Sequence, residues 1–305
     1  MATVYTHAGA NIRRTWLLLS GFFILVIGVF WVFSYAYADP AILYIGVVLS
    51  LAMNVGSYWF SDKLVLAMSG ARPVTSSENP ELYRVVENLA ITAGLPMPRL
   101  YLIADPAPNA FATGRDPKHA VVAVTSGLLE RLERSELEGV LAHELSHIGN
   151  RDMLISTVVV VLAGIIAIVS DFFLRTRLLG RMSNDRDSRA GALMMVIALL
   201  AAILAPLAAT LIRLAVSRRR EYLADASGVL LTRYPAGLIA ALEKISADPR
   251  PIARASNATA HLYFENPYKA DAIGRGGKGV SWLVRLFLTH PPVNDRIRAL
   301  QEMQS

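Results

Sequence analysis

Between Thr15 and Ala38 the chain runs 24 residues without a charged side chain. A stretch this apolar belongs in hydrocarbon, where each backbone N–H and C=O must be satisfied inside its own segment, so it has to be a helix. About 20 helical residues cross the ~30 Å core of a bilayer, so one span fits. Trp16, Trp31, Tyr35 and Tyr37 sit near its ends, as interfacial aromatics do. A second apolar run, residues 41–60, follows the turn at Asp39-Pro40. Arg13 and Arg14 precede the first run and Lys63 follows the second, while the connection carries only Asp39. The positive-inside rule therefore predicts a cytoplasmic N-terminus and a cytoplasmic location for everything after residue 61. Ala36-Tyr37-Ala38 resembles a signal-peptidase site, but the run exceeds a signal h-region of roughly 7–15 residues and a second run follows at once. A retained anchor is expected.

Two further apolar runs, Met153–Ser170 and Gly191–Ala215, suggest about four apolar helices in all. Their connection carries Arg175, Arg177, Arg181, Arg186 and Arg189. Full crossing, the favoured reading, would put those arginines outside against the charge rule. The alternative is a hairpin that packs on the soluble part or dips into the membrane. Only 18% of residues are charged, against roughly 25% in soluble domains. The net charge of +6 is concentrated beside apolar segments (Arg13, Arg14, Arg213, Arg218, Arg219, Arg220) and no nucleic-acid module is present, so it reads as a membrane interface. With no cysteine, a disulfide framework and a thiolate metal site are excluded.

Residues 61–152 read as a soluble α+β segment. Asn79-Pro80-Glu81 opens a helix that Gly94-Leu95-Pro96 closes. Arg99–Ala104, Asn109–Thr113 and Ala120–Thr125 read as short strands. Ser135 and Glu138 have the spacing of a capping box and would start the next helix. Residues 216–245 look helical, with a break at Arg233-Tyr234-Pro235, and 246–280 turn polar and irregular. The glycine cluster at 274–279 lacks phosphate-loop spacing and reads as a linker. Ser281–Leu288 and Asn294–Met303 read as closing helices around His290-Pro291-Pro292.

The predicted helix after Ser135 carries His143-Glu144-Leu145-Ser146-His147. Residues four apart share a helix face, so both imidazoles can reach one zinc ion while Glu144 reaches a water on it. The bland alternative is two solvated histidines. A third ligand is needed, and Glu221 is the best candidate. Measured along straight helices, His147 and Glu221 each lie about 8–9 Å from the membrane-side end of the neighbouring apolar run. An antiparallel pair would bring them level; otherwise Glu221 merely neutralises Arg218–Arg220. Asp225, four residues on, would accept a hydrogen bond from a ligand histidine's other ring nitrogen, or else pair with an arginine at the surface. His119 and His261 read as structural or surface residues, and His7 as part of a mobile tail.

Three motifs in order, His143-Glu144-Leu145-Ser146-His147-Ile148-x-Asn150-x-Asp152-Met153, Glu221-x-x-x-Asp225-x-x-Gly228 and Thr289-His290-Pro291-Pro292-x-x-x-Arg296-Ile297, resemble the HtpX-type membrane zinc metalloproteases, gluzincins related to the CaaX prenyl proteases. The resemblance covers essentially the whole chain; Arg151 stands where a smaller residue is expected. It implies one zinc ion per chain on His143, His147 and Glu221, with Glu144 as general base and His290 and Arg296 stabilising the oxyanion. It also implies that Asn109, Ala110, Phe111 and Ala112 form an edge strand that pairs with substrate backbone.

The expected fold is a mainly α integral-membrane protein with an α+β zincin-like metalloprotease domain and a small sheet. Residues 1–62 would form the anchor, 63–152 and 216–305 the catalytic domain, and 153–215 the apolar hairpin. The expected activity is a zinc endopeptidase of the cytoplasmic (inner) membrane, facing the cytosol. It would cut misfolded or damaged membrane proteins or unfolded polypeptides in quality control and the stress response, with the bilayer as a partner and no nucleic acid. A site-two-type intramembrane protease fits less well, because Arg131, Glu133, Arg134, Glu136 and Glu138 make this helix costly to embed. A non-enzymatic scaffold with structural zinc would need a fourth protein ligand, for which His290 is the candidate.

Overall fold

The first apolar run folds as α1 (Val4–Tyr37) and the second as α2 (Pro40–Ser69) in a computed structural model, which describes residues 4–162, 218–256, 259–268 and 291–303. His7 lies within α1 rather than in a tail. The turn between the helices is built locally. The Asp39 carboxylate accepts from the Ala41 N–H, and Pro40 occupies the first turn, where a missing N–H costs nothing. Trp16, Leu17, Ile24, Trp31, Ile45, Val48 and Leu51 stay exposed, a surface suited to lipid. Both helices are long and apolar enough to cross a membrane.

α2 continues past residue 60, where the second run was expected to end, as far as Ser69. Nothing breaks it before Gly70, whose φ of 65° forms a left-handed cap. Its last turns leave the apolar zone and enter the domain core. Asp62 takes a 2.8 Å hydrogen bond from Arg99, and Val65 and Leu66 pack against Phe111, Val121 and Ala123. The span and the soluble part are thus one continuous rod.

Four strands, β1 (Ala71–Pro73), β2 (Arg99–Ile103), β3 (Ala110–Thr113) and β4 (Val121–Thr125), make a mixed sheet in the order β1-β2-β4-β3. β2 and β4 are parallel and the outer pairs antiparallel. The three expected strands are present to within one residue at their ends. β1 was not anticipated, since three residues give no period to read. Side chains alternate across the sheet. Leu100, Ala110, Ala112, Val122 and Val124 face one core, while Ile103, Phe111, Val121 and Ala123 face α2 on the other side.

The first of these cores holds α3 (Pro80–Ala93), capped by Asn79 and Gly94 as the sequence indicates, and α5 (Arg134–Gly149), which follows the short α4 (Ser126–Arg131). The capping box of α5 sits two residues earlier than expected. Glu133 is the N-cap, and Glu136 reaches back to its N–H at 2.8 Å. Glutamate can serve here because its carboxylate also meets the positive end of the helix dipole. After Gly149 the chain bends by 81° into α6 (Asp152–Leu162), with Arg151 at a left-handed φ of 57°. α6 packs Leu154, Val158, Val159 and Leu162 on Leu19 and Phe22 of α1.

α7 (Arg218–Thr232), α8 (Pro235–Ala247) and α9 (Val293–Glu302) complete the described helices. The break at Arg233-Tyr234-Pro235 falls where the sequence places it. The last eight residues of the third apolar run, the whole fourth run, the arginine-bearing loop, the glycine cluster, Ser281–Leu288 and His290 lie outside the described residues.

Candidate active site

α5 and α7 lie antiparallel and touching. Gly228 allows this contact: a Cβ there would stand 3.0 Å from the His143 main-chain nitrogen. With the backbones this close, the helical repeat places Glu221 opposite His147 and Asp225 opposite His143. The 81° bend between α5 and α6 breaks the straight helix along which His147 and Glu221 were expected to lie at equal height. Direct packing of the two helices aligns the residues instead.

His143 Nε2 and His147 Nε2 are 3.1 Å apart, and each lies 3.7 Å from an oxygen of Glu221. Ligand atoms about 2.0–2.2 Å from a tetrahedral zinc would lie roughly 3.3–3.5 Å from one another, so the spacing suits that ion. The outer ring nitrogens test the fit further. His143 Nδ1 donates to Asp225 at 2.8 Å, and His147 Nδ1 donates to Asp152 at 3.2 Å. A carboxylate oxygen accepts, so each Nδ1 carries a proton and Nε2 is the ring atom left facing inward. Two imidazole Nε2 atoms and a carboxylate converging at this spacing suit a metal cation. His143, His147 and Glu221 form the candidate metal group among the described residues.

Electrostatics separate the two histidines. Burial pushes the pKa of His143 down to about 4, outweighing the Asp225 carboxylate. Burial also opposes a charge on His147, but the Asp152 hydrogen bond and the Glu221, Asp152 and Glu144 charges win and raise it to about 9 without metal. Asp225 is pushed the other way. Although burial favours its neutral form, Arg296 and His143 hold its pKa down to about 2.

The expected residues do not all fall where the motifs suggest. Glu144, 2% exposed, shares a cavity of about 30 Å³ with His143, His147 and Glu221. That is room for a water-sized group. Arg296 is fully buried and lies behind His143 instead of lining this cavity. Its guanidinium grips Asp225 with two bonds and the Phe264 carbonyl with a third. The two alternatives for Asp225 are both realised: it holds a histidine of the cluster and pairs with an arginine, though a buried one.

β3 is an edge strand. Asn109 O accepts from Thr125 N on the β4 side, so alternation turns the N–H and C=O of Ala110 and Ala112 outward. The edge is partly taken, because Phe264 N donates to Ala110 O and Asn109 exchanges two hydrogen bonds with Glu265. Ala112, beside the cavity, keeps an outward-facing main chain.

Two residues were missed. Asp152 orients His147, and Asn11 of α1 donates to Asp152. His261, read as structural or surface, lines the cavity and meets the Ser156 carbonyl at 3.2 Å. Asp152 was legible as part of the His143–Met153 motif, but nothing in the sequence paired it with Asn11, 141 positions away. His119, by contrast, is a surface residue paired with Asp116.

Comparison with known proteins places these observations. The chain is 46% identical over 300 residues to a protein named "Protease HtpX homolog" from Tropheryma whipplei (strain Twist), covering 98% of both chains. It is 44% identical over 302 residues to the protein of that name from Dictyoglomus thermophilum, covering 99% of this chain and 95% of the other. The Streptococcus gordonii relative of the same name is 44% identical over 306 residues, covering 98% and 100%. Among solved structures, S. mikatae Ste24p has a similar fold, with a TM-score of 0.50 and 18% identity. The match covers 95% of this chain, which spans 64% of that protein's length. The model of Peptidase family M48 matches residues 76–304, and with the candidate His143–His147–Glu221 metal group and two membrane-length helices, this chain belongs to that family as a membrane-bound metalloendopeptidase.

Proposed function

We propose that the protein is a zinc endopeptidase that hydrolyses peptide bonds in misfolded or damaged membrane proteins and unfolded polypeptides at the cytosolic face of the inner membrane. This would be a quality-control and stress-response activity. The observation that carries the reading is the inward convergence of two imidazole Nε2 atoms and one carboxylate, with Glu144 in the same cavity.

His143, His147 and Glu221 would hold one zinc ion. When bound, zinc supplies a Lewis acid for the peptide carbonyl and lowers the pKa of water towards about 7. Asp225 and Asp152 keep the two rings in the tautomer that leaves Nε2 for the metal. Glu144 accepts a proton from water and returns it to the leaving amine. The outward main chain of Ala112 would pair with extended substrate backbone, and such pairing tolerates many sequences. Phe264 at Ala110 would set where that pairing begins. His290 is proposed as the oxyanion donor, with Arg296 acting through Asp225 rather than on substrate.

A closed structural zinc site would need a fourth protein donor; among the described residues three donors form the group. The cytosolic assignment rests on Arg13, Arg14 and Lys63 against a connection holding only Asp39. Replacing Glu144 with Gln in the full-length protein should leave one zinc per chain and abolish cleavage of an unfolded protein substrate. Continued cleavage by that variant would reject the mechanism. Because the chain has no cysteine, single cysteines at Asp39 and Lys278 report orientation by labelling; outside labelling at 278 would overturn the cytosolic site.

A further inference from the structure

Asn11 is a polar residue on a membrane-length helix, yet it is 3% exposed and does not face lipid. Its amide donates twice. One bond goes to the Asn150 carbonyl at 3.1 Å, the other, a short one, to Asp152 Oδ1 at 2.5 Å. Asn150 is the C-cap residue of α5, so the first bond satisfies a carbonyl that the end of the helix leaves without an internal partner. The other oxygen of the same Asp152 carboxylate accepts from His147 Nδ1 at 3.2 Å. Thus two hydrogen bonds, sharing one carboxylate, join α1 to the metal cluster.

We propose that Asn11 is a positioning residue for the metal centre and that α1 is a working part of the active site as well as its anchor. The proposal rests on His147 being a zinc ligand. Asp152 stands just past the 81° bend, at the first residue of α6, where α5 no longer fixes the backbone direction. Its carboxylate therefore needs an outside contact to hold its plane. With Oδ1 held by Asn11, Oδ2 is aimed at the His147 ring, and the ring's Nε2 is aimed at the metal. A carboxylate free to turn could instead swing towards Arg220, whose Nε is 3.7 Å away. An aspartate at position 11 would set two like charges together, and a leucine would fill the space without donating.

The chemistry accounts for the choice of asparagine. A single amide supplies two N–H groups, one for a helix-end carbonyl and one for a carboxylate. A polar side chain on a membrane helix is retained where it finds partners inside the protein. Contacts of this outer kind commonly change metal affinity by about 10–100-fold.

The test uses full-length protein in nanodiscs and measures zinc affinity by chelator competition, alongside melting of the metal-free protein. Wild type should bind one zinc, and His147→Ala should lose it; failure there rejects the metal-site reading itself. Given that result, Asn11→Leu should bind zinc about 10–100-fold more weakly while the metal-free protein melts near the wild-type temperature. Wild-type zinc affinity in Asn11→Leu would overturn the proposal, as would a loss of affinity that merely follows a lowered melting temperature. Should Asn11→Leu fail to fold, the near-isosteric Asn11→Asp supplies the reading. It should weaken zinc binding, and adding Asp152→Asn, which restores an amide–carboxylate pair, should recover part of the affinity. No recovery in that double variant would also overturn the proposal.

Discussion

Arg296 and Asp225 form a buried two-armed ion pair directly behind His143, with Nε 2.9 Å from one carboxylate oxygen and Nη2 2.6 Å from the other. The second oxygen also accepts from His143 Nδ1 at 2.8 Å. Arginine, carboxylate and imidazole thus form one chain of contacts running from the core to the candidate metal cluster. The fork geometry matches a carboxylate, which a lysine could not reproduce.

Arg296→Met should therefore leave Asp225 as an uncompensated buried charge. The expected loss is about 3–5 kcal/mol of stability together with weaker zinc binding. Arg296→Lys should fall between the two, keeping the charge and losing the fork. Thermal or urea unfolding with zinc analysis reads this directly; a Met variant as stable as wild type would refute it.

The pKa of Asp225 is lowered on folding, so its pairing stabilises the native state above the ordinary carboxylate range. That contribution is lost as the pH falls through about 2. His147 has the opposite sign: raised to about 9, it stabilises the metal-free fold below its ordinary value, and the effect disappears as the pH rises through about 9. A metal ion on His147 Nε2 must expel that proton. Zinc affinity should consequently weaken as the pH drops from about 9 to about 7, with proton release on binding. Calorimetry in buffers of different ionisation enthalpy measures the release, and binding without it would contradict this account.

Gly228→Ala places a methyl group 3.0 Å from the His143 main chain, with no flexible side chain to yield. α7 must move outward, carrying Glu221 and Asp225 away from the histidines. Metal affinity should fall sharply while α-helix content by circular dichroism stays near the wild-type level. Unaltered zinc binding would show that the helix contact is not needed.

Arg151 occupies the left-handed region at φ 57° between α5 and α6, where a side chain costs about 1–2 kcal/mol. Glycine removes that strain but gives back some unfolded-state entropy. Arg151→Gly should therefore raise stability by about 0.5–1 kcal/mol, and Arg151→Val should lower it. Melting temperatures of the two variants decide the matter, and the reverse order would refute it.

The features readable before folding depend on short-range regularities. The charge-free run from Thr15 to Ala38 required a helix because hydrocarbon offers no other partners to the backbone. The spacing of His143 and His147, and of Glu221 and Asp225, puts each pair on one helix face at any position in space. Asn79 and Gly94 mark the ends of α3 because capping is local chemistry. The α5 capping box was displaced by two residues because Glu133 and Ser135 both offer an acceptor there.

Tertiary structure decided how those local units share residues. Asn11 meets Asp152 across 141 positions, and Arg296 meets Asp225 across 71. No periodicity records either contact. His261 lies by the metal cluster because the segment before Phe264 follows the edge of β3, and the 81° bend at Arg151 set aside the straight-helix reckoning. The residues named by local spacing were those able to bind a metal. Which groups hold them, orient them and join them to the membrane helix followed from packing between elements, since only packing brings distant side chains within hydrogen-bonding distance.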